Sequence, residues 1–282
     1  MSRPYRSVLY IPGSRDRALE KAKTLPADGI IFDLEDAVAV TEKDRARALL
    51  AEVLRGDFGG RARIVRINGF DSDRGRRDAA AFAGHPGVDA ILIPKVSRAA
   101  DLDAVAELAP AKPLWAMMET ALGMLHAAEI AAHPALQAMV MGTNDLAKEL
   151  GARPRADRLP LQVGLGLCLL AARAQGRVII DGVYNAFSDD AGLQAECEQG
   201  RDLGFDGKTL IHPAQLAIAN VVFAPSQAEI DLAHRQIAAF AAAQAAGQGV
   251  AVVDGRIVEN LHIVSARSML AKAKAIAERE RA

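Results

Sequence analysis

Two carboxylates follow short apolar runs closely enough to share a metal ion. Glu119 comes directly after LWAMM (114–118), and Asp145 comes soon after AMVM (138–141). Mg²⁺ usually accepts two carboxylates with water and substrate oxygens, because it dehydrates reluctantly. No His or Cys accompanies the pair, which disfavours zinc. We expect a magnesium site, although either acid alone could simply stabilise a helix N-terminus.

An arginine lies inside another apolar run. Arg66 is the second residue of VRIN (65–68), between Val65 and Ile67. A guanidinium stays protonated, so burying it in a strand is costly unless its charge is paired. We expect its partner to be either the acids of residues 33–36 or an anionic substrate that is held bidentately. A purely structural ion pair is the alternative interpretation.

These residues belong to a repeated pattern of eight apolar runs that alternate with helix-compatible stretches. The alternation predicts a parallel sheet with crossover helices, and eight repeats favour a closed (β/α)8 barrel, the TIM barrel. The carboxyl ends of the strands would then carry the active site. The runs are VLYI (8–11), GIIF (29–32), IVRI (64–67), AILI (90–93), LWAMM (114–118), AMVM (138–141), RVII (177–180) and KTLI (208–211).

The composition is that of a soluble enzyme. The chain has 282 residues and a net charge of −1, which argues against nucleic-acid and membrane-surface partners. No apolar run approaches the roughly 18 residues of a membrane span, and the first residues lack a signal-peptide pattern. Cys168 and Cys197 have no metal-ligand spacing. A chain of this size with only two cysteines is typical of a reducing compartment, so we expect a cytoplasmic protein. No nucleotide-binding glycine motif is present.

The pattern changes near residue 224. We expect a catalytic barrel over 1–223 and a C-terminal helix–hairpin–helix arm over 224–282. The arm would comprise a helix over 226–246, a hairpin turning at Asp254-Gly255 and a last helix over about 262–281. Because it is too short to hold a core of its own, we expect it to pack on the barrel or on a neighbouring subunit.

The motifs in their order resemble a known family. The chain is similar to the citrate lyase β-subunit-like members of the HpcH/HpaI aldolase superfamily, above all to malyl-CoA and citramalyl-CoA lyases. The resemblance implies a (β/α)8 barrel, Mg²⁺ (or Mn²⁺) on Glu119 and Asp145, and Arg66 beside the 2-oxo acid carboxylate. It rests on RSVLYIPG, IIFDLEDAV, IVRING, ILIPKV, METALGML, MGTNDLAKELG, AARAQGRVIIDGVY, LGFDGKTLIHPAQ and VVFAPS.

The same resemblance assigns further roles. It places Asp36 near the waters of the metal as a catalytic acid, and it implies five coenzyme A contacts. Arg17 and Lys21 are four residues apart, so they share a helix face and could grip phosphates, although such a face is otherwise simply solvated. The implied contacts are Tyr10, Arg17, Lys21, Ile211 and His212.

The arm is implied to complete the site. In related lyases an acid of the arm, often lent by the adjacent subunit, exchanges a proton with the acetyl-CoA methyl group. The aligned residue in DGRIVENLHI is Glu259, where the family motif has Asp. The extra methylene displaces the carboxylate by about 1 Å, enough to cost about 100-fold in rate. Two outcomes are open, a site retuned for a differently shaped 2-oxo acid or loss of this proton transfer, and we expect Glu259 to function.

The function expected from these features is that of a magnesium-dependent carbon–carbon lyase. It would cleave or form a 3-hydroxy-carboxyacyl-CoA such as malyl-CoA or citramalyl-CoA, giving acetyl-CoA and a 2-oxo acid. The alternatives are a malyl-CoA thioesterase, a CoA-independent pyruvate-type class II aldolase, and a non-catalytic barrel subunit of a larger lyase complex. The expected partners are small molecules, and the expected assembly is a homotrimer or homohexamer.

Overall fold

Eight parallel strands close into a barrel in the computed structural model, which describes residues 3–281. Each strand pairs with the next along the chain, and β8 returns to β1 through Ser7↔Lys208 and Val8↔Thr209. This confirms the predicted (β/α)8 fold. The strands are β1 (Ser7–Pro12), β2 (Gly29–Asp33), β3 (Ala62–Arg66), β4 (Ala90–Ile93), β5 (Leu114–Met118), β6 (Leu136–Met141), β7 (Val178–Asp181) and β8 (Gly207–Leu210).

The strands are apolar on both faces, as strands of an α/β barrel must be. Residues such as Val8, Ile64 and Trp115 point inward and fill the barrel. Alternate residues such as Leu9 and Val65 pack outward against the helices. The period of two along each strand thus forms one core inside the barrel and a larger one around it.

Ten α-helices surround the barrel. The helical segment after β5 is divided at His126 into two short helices, and the connection after β6 begins with a helix. Short 3-10 turns cover Val40–Glu42, Leu159–Leu161 and Pro213–Gln215. The helices are α1 (Asp16–Ala22), α2 (Lys43–Val53), α3 (Asp73–Ala83), α4 (Ala100–Leu108), α5 (Ala121–Leu125), α6 (Ala127–Ala132), α7 (Thr143–Glu149), α8 (Gln162–Ala174), α9 (Asp190–Leu203) and α10 (Leu216–Val222).

The chain divides into two compact units. Tyr5–Phe223 form the barrel unit, and the chain from Ala224 onward belongs to the second. The second unit contains α11 (Gln227–Ala245), the hairpin β9 (Ala251–Val253) and β10 (Arg256–Val258), and α12 (Asn260–Arg281). Ser226 and Glu229 form a capping box that starts α11.

The hairpin turn has the expected geometry. Asp254 has a φ of 49° and Gly255 a φ of 74°, as a type I′ turn requires. Phe240 of α11 and Ile263 of α12 are buried in a small core with the hairpin residue Val258. None of the helices within residues 3–281 is both long and apolar enough to cross a membrane.

Candidate active site

The two predicted metal ligands lie at neighbouring strand ends. Glu119 follows β5 directly, and Asp145 lies in the first turn of α7, just after β6. The two strands pair through Met118↔Met141, which brings both acids to the same end of the barrel. Gly142 lets them approach, because a Cβ at this position would collide with the Glu119 side chain.

Burial and neighbouring acids dominate the environment of Glu119. Burial raises the pKa of Glu119 to about 7; a hydrogen bond from the backbone N–H of Lys95 opposes this, and the negative charges of Glu35 and Asp145 add to it. A buried acid that a second, half-buried acid destabilises further fits a divalent cation. No group of three or more potential ligands among His, Cys, Asp and Glu occurs within residues 3–281. A cation here would therefore take its other ligands from water or substrate.

Arg66 is fixed by acids of the β2 end. Its Nε and Nη2 donate to the two carboxylate oxygens of Asp33 at 2.8 and 2.7 Å. Its Nη1 lies 3.1 Å from Glu35 Oε2 and 3.7 Å from Asp36 Oδ2. Burial works against the charged form, but Asp33 outweighs it and raises the pKa of Arg66. Asp33 thus locks one edge of the guanidinium, and Nη1 is the nitrogen that Asp33 does not bind, although Glu35 and Asp36 lie beside it.

Tyr10 covers the guanidinium. The Arg66 Cζ lies 5.0 Å from the centre of the Tyr10 ring, a distance for a cation–π contact. The Tyr10 hydroxyl donates to Met117 Sδ at 3.4 Å. Burial raises the pKa of Tyr10, and the nearby acids add to this although Arg66 opposes it. The phenol therefore stays protonated at neutral pH and remains a donor.

A cavity of about 310 Å³ opens at this end of the barrel. Its wall combines the charged groups with apolar side chains, including Met117, Met141 and Val183. Such a wall is suited to a small anionic ligand with an attached apolar chain. The predicted site residues that line it are Tyr10, Asp36, Arg66, Glu119, Asp145 and Ile211.

Three other predicted residues of the barrel unit lie outside the cavity wall. Arg17 and Lys21 are exposed on α1. His212 caps the 3-10 turn at Pro213, accepting from the Ala214 N–H at 3.2 Å, and stacks on Phe187 at 4.8 Å. Glu259 belongs to the second unit, where its N–H donates to His262 Nδ1 at 3.0 Å. The role that the resemblance gives Glu259 stays a prediction.

One important residue received no role from the sequence. Lys95 follows β4 in the ILIPKV motif and donates from Nζ to Glu35 Oε1 at 2.8 Å. Its backbone N–H donates to Glu119 Oε1, also at 2.8 Å. The position of a lysine just past a strand end could have indicated a site residue. The contact of its backbone N–H with Glu119 could not be predicted from the sequence.

The sequence model of the HpcH/HpaI aldolase/citrate lyase family matches residues 6–213. The chain belongs to this family. A (3S)-malyl-CoA thioesterase of Cereibacter sphaeroides is 73% identical over 275 residues, covering 97% of this chain and 96% of the relative. An L-malyl-CoA/beta-methylmalyl-CoA lyase of the same organism is 37% identical, covering 98% of this chain and 96% of the relative.

A solved structure shares the fold and contains bound ligands. CitE of Mycobacterium tuberculosis, in complex with magnesium, acetoacetate and coenzyme A, matches with a TM-score of 0.81. It is 32% identical, and the match covers 96% of this chain and 98% of that one. The chain is thus an enzyme of a family that includes relatives named for malyl-CoA.

The expected principal activity is wrong. The relatives at 72–73% identity are named thioesterases, whereas the lyase stands at only 37%. The motifs behind the lyase expectation build the barrel and the strand-end acids. The same kind of site can cleave malyl-CoA at its thioester bond or at a carbon–carbon bond. Those motifs therefore do not determine which of the two bonds breaks.

Proposed function

We propose that this enzyme hydrolyses the thioester bond of (3S)-malyl-CoA to malate and free coenzyme A. The observation that carries the proposal is the 73% identity to a (3S)-malyl-CoA thioesterase over 97% of the chain. The cavity supports it, since acids, a fixed arginine and apolar side chains meet there in a volume of about 310 Å³.

We assign Glu119 and Asp145 as the residues that hold Mg²⁺. The buried Glu119 carboxylate, which nearby Asp145 destabilises, supports this assignment, and so does the magnesium in the similar CitE structure. When bound, Mg²⁺ would supply Lewis-acid polarisation of substrate oxygens. Mn²⁺ stays a prediction.

The remaining cavity residues bind the acid and handle the proton. The Nη1 edge of Arg66 faces Asp36 and attracts the carboxylate of the malyl group. The protonated hydroxyl of Tyr10 can donate to a substrate oxygen. Asp36 lines the cavity with an exposed side chain, so its carboxylate can accept a proton from a water molecule.

The reaction balances with water as the only co-reactant. As Asp36 takes the proton, the water oxygen forms a bond to the thioester carbon. The carbon–sulfur bond breaks, and the proton ends on the sulfur of coenzyme A. Met117, Met141 and Val183 keep bulk water from the rest of the acyl group.

Coenzyme A would extend toward α1. Arg17 and Lys21 are exposed on this helix and suit phosphates, while Ile211 lines the cavity and His212 follows it. An assembly of three or six chains and a cytoplasmic location stay predictions from the sequence.

Product analysis tests the proposal. The purified enzyme, (3S)-malyl-CoA and Mg²⁺ should release one free thiol per substrate consumed, with malate identified by mass. A lyase would instead give acetyl-CoA and glyoxylate with no free thiol, and that result would refute hydrolysis. Omission of Mg²⁺ with added chelator should stop the release of thiol.

A further inference from the structure

Lys95 has a backbone conformation that lysine rarely adopts. Its φ is +53°, in the left-handed region, where a Cβ is unfavourable. Within residues 3–281 only Arg158 and Asp254 share this property among the non-glycine residues. Such conformations persist where surrounding contacts impose them, and they cluster at functional sites.

The surrounding loop imposes the conformation at Lys95. The N–H of Val96 donates to the Met117 carbonyl at 3.3 Å, and the Ser97 hydroxyl is 2.8 Å from the Thr120 hydroxyl. His126 Nδ1 lies 2.9 Å from the Ser97 carbonyl. The segment after β4 is thereby tied to the end of β5, from which Glu119 projects.

The left-handed turn has a specific consequence for the carboxylate. It directs the Lys95 N–H to Glu119 Oε1 at 2.8 Å, while the side chain leads to Glu35. Lys95 does not line the cavity, and half of its side chain is exposed. It therefore acts on the site through the two acids that it contacts.

We infer that Lys95 is a positioning residue with two separable tasks. Its left-handed backbone orients the Glu119 carboxylate for a divalent cation, and its ammonium binds Glu35 and offsets the charge of this acid beside Nη1 of Arg66. The first task rests on the proposed metal site alone, and the second rests also on the proposed substrate. Glycine would adopt this φ more easily than lysine, but a glycine has no ammonium group. The need for the ammonium explains why a lysine occupies a position that favours glycine.

A substitution series separates the backbone task from the charge. Lys95→Gly, Lys95→Met and Lys95→Val all remove the ammonium, but their tolerance of a positive φ falls in that order. Mg²⁺ alone is titrated calorimetrically into each full-length variant. We expect Lys95→Gly to bind Mg²⁺ at least as tightly as the wild type, and Lys95→Val to bind about tenfold more weakly than Lys95→Gly.

Folding is checked by thermal unfolding, and Lys95→Met should fall between the other two in Mg²⁺ affinity. The matched control is the hairpin turn, where Asp254→Val should lower the Tm relative to Asp254→Gly without changing Mg²⁺ affinity. Equal Mg²⁺ affinities for folded Lys95→Gly and Lys95→Met would overturn the backbone task. A wild type that binds no Mg²⁺ would also overturn it.

The role of the Lys95 ammonium is tested by measuring KM and kcat for (3S)-malyl-CoA. Lys95→Gly should raise the KM for (3S)-malyl-CoA several-fold with a smaller change in kcat, because the charge of Glu35, no longer offset by the ammonium, then competes with the substrate carboxylate for Nη1 of Arg66. Lys95→Arg should restore the KM at least partly, since a cation is again present. If Lys95→Arg behaves like Lys95→Met, the ammonium task is refuted. If the wild type lacks thioesterase activity but the Mg²⁺ series holds, the proposed function fails while the backbone task stands.

Discussion

Glu119 is a buried acid that the protein alone does not stabilise. Its side chain is 2% exposed, and its pKa is raised from 4.5 to about 7 by burial and two nearby acids, against one hydrogen bond from Lys95 and the charge of Arg66. An acid whose pKa is raised on folding destabilises the folded state when it ionises. The destabilisation begins as the pH rises above the unfolded pKa and is complete above the folded pKa of about 7. At ~1.4 kcal/mol per pKa unit, the cost is on the order of 3 kcal/mol. We interpret this instability as the mark of a cation site.

The first prediction follows from that cost. At about pH 8 and with a metal chelator present, Glu119→Gln should raise the Tm of the protein, because a neutral amide replaces a costly charge. The same change should weaken Mg²⁺ binding at least tenfold in calorimetry. Glu107→Gln, an exposed acid on α4, should change neither quantity. A lower Tm combined with unchanged Mg²⁺ affinity would exclude Glu119 as a ligand.

Asp36 differs from its neighbours because its side chain is largely exposed. Asp33 and Glu35 are committed to Arg66 and Lys95, whereas Asp36 stands 3.7 Å from Arg66 and faces the cavity. Asp36→Asn should lower the kcat of hydrolysis about 100-fold with little change in KM, as expected for a lost general base. Thiol release from (3S)-malyl-CoA measures this. Asp71→Asn, an exposed acid before α3, is the control, and a kcat above half the wild-type value would remove Asp36 from the mechanism.

At the scale of elements, the sequence predicted the structure best where an apolar pattern repeats along the chain. Eight apolar runs predicted eight strands, and strand ends predicted that Glu119 and Asp145 would meet. The division of the helix over 121–132 was not predictable, because His126 bonds to Ser97, a tertiary contact. The role of Lys95 was hidden for a related reason, since a positive φ at lysine contradicts the preference of the residue.

Helix α1 allows a test of the coenzyme A site at this scale. Arg17 and Lys21 are exposed and lie on one face, where they attract phosphates electrostatically. Arg17→Glu and Lys21→Glu should each raise the KM for malyl-CoA several-fold, most strongly at low ionic strength. Arg45→Glu makes the same charge change on the exposed surface of α2 and should leave the KM unchanged. Equal effects at all three positions would indicate a general charge effect and not a binding face.

At the scale of the whole molecule, the barrel must close between its first and last strands. Lys208 of β8 pairs with Ser7 of β1 and is fully buried. Its Nζ lies 3.1 Å from Asp181 and 2.6 Å from Glu196, and Arg158 Nη1 lies 2.8 Å from both Asp181 oxygens. Two cations and two anions thus balance beside the closing strand. They come from four separate parts of the chain, so no sequence spacing indicated them.

Breaking this cluster should destabilise the whole enzyme. Burial alone would raise the pKa of Asp181, but the charges of Lys208 and Arg158 outweigh it and lower the pKa. The stabilisation is therefore present above the unfolded value of 3.8 and is lost as the pH falls below it. Asp181→Asn leaves two buried cations with one carboxylate, which should cost about 3–5 kcal/mol in urea unfolding at neutral pH.

The control is the same change in an exposed pair. Asp254 and Arg235 are each more than half exposed, so Asp254→Asn should cost at most about 1 kcal/mol. On acidification the difference in stability between the wild type and Asp181→Asn should shrink, because the wild type then loses the same charge by protonation. A constant difference down to the acid transition would show that Asp181 acts through its shape and hydrogen bonds, and that charge does not hold the last strand in the barrel.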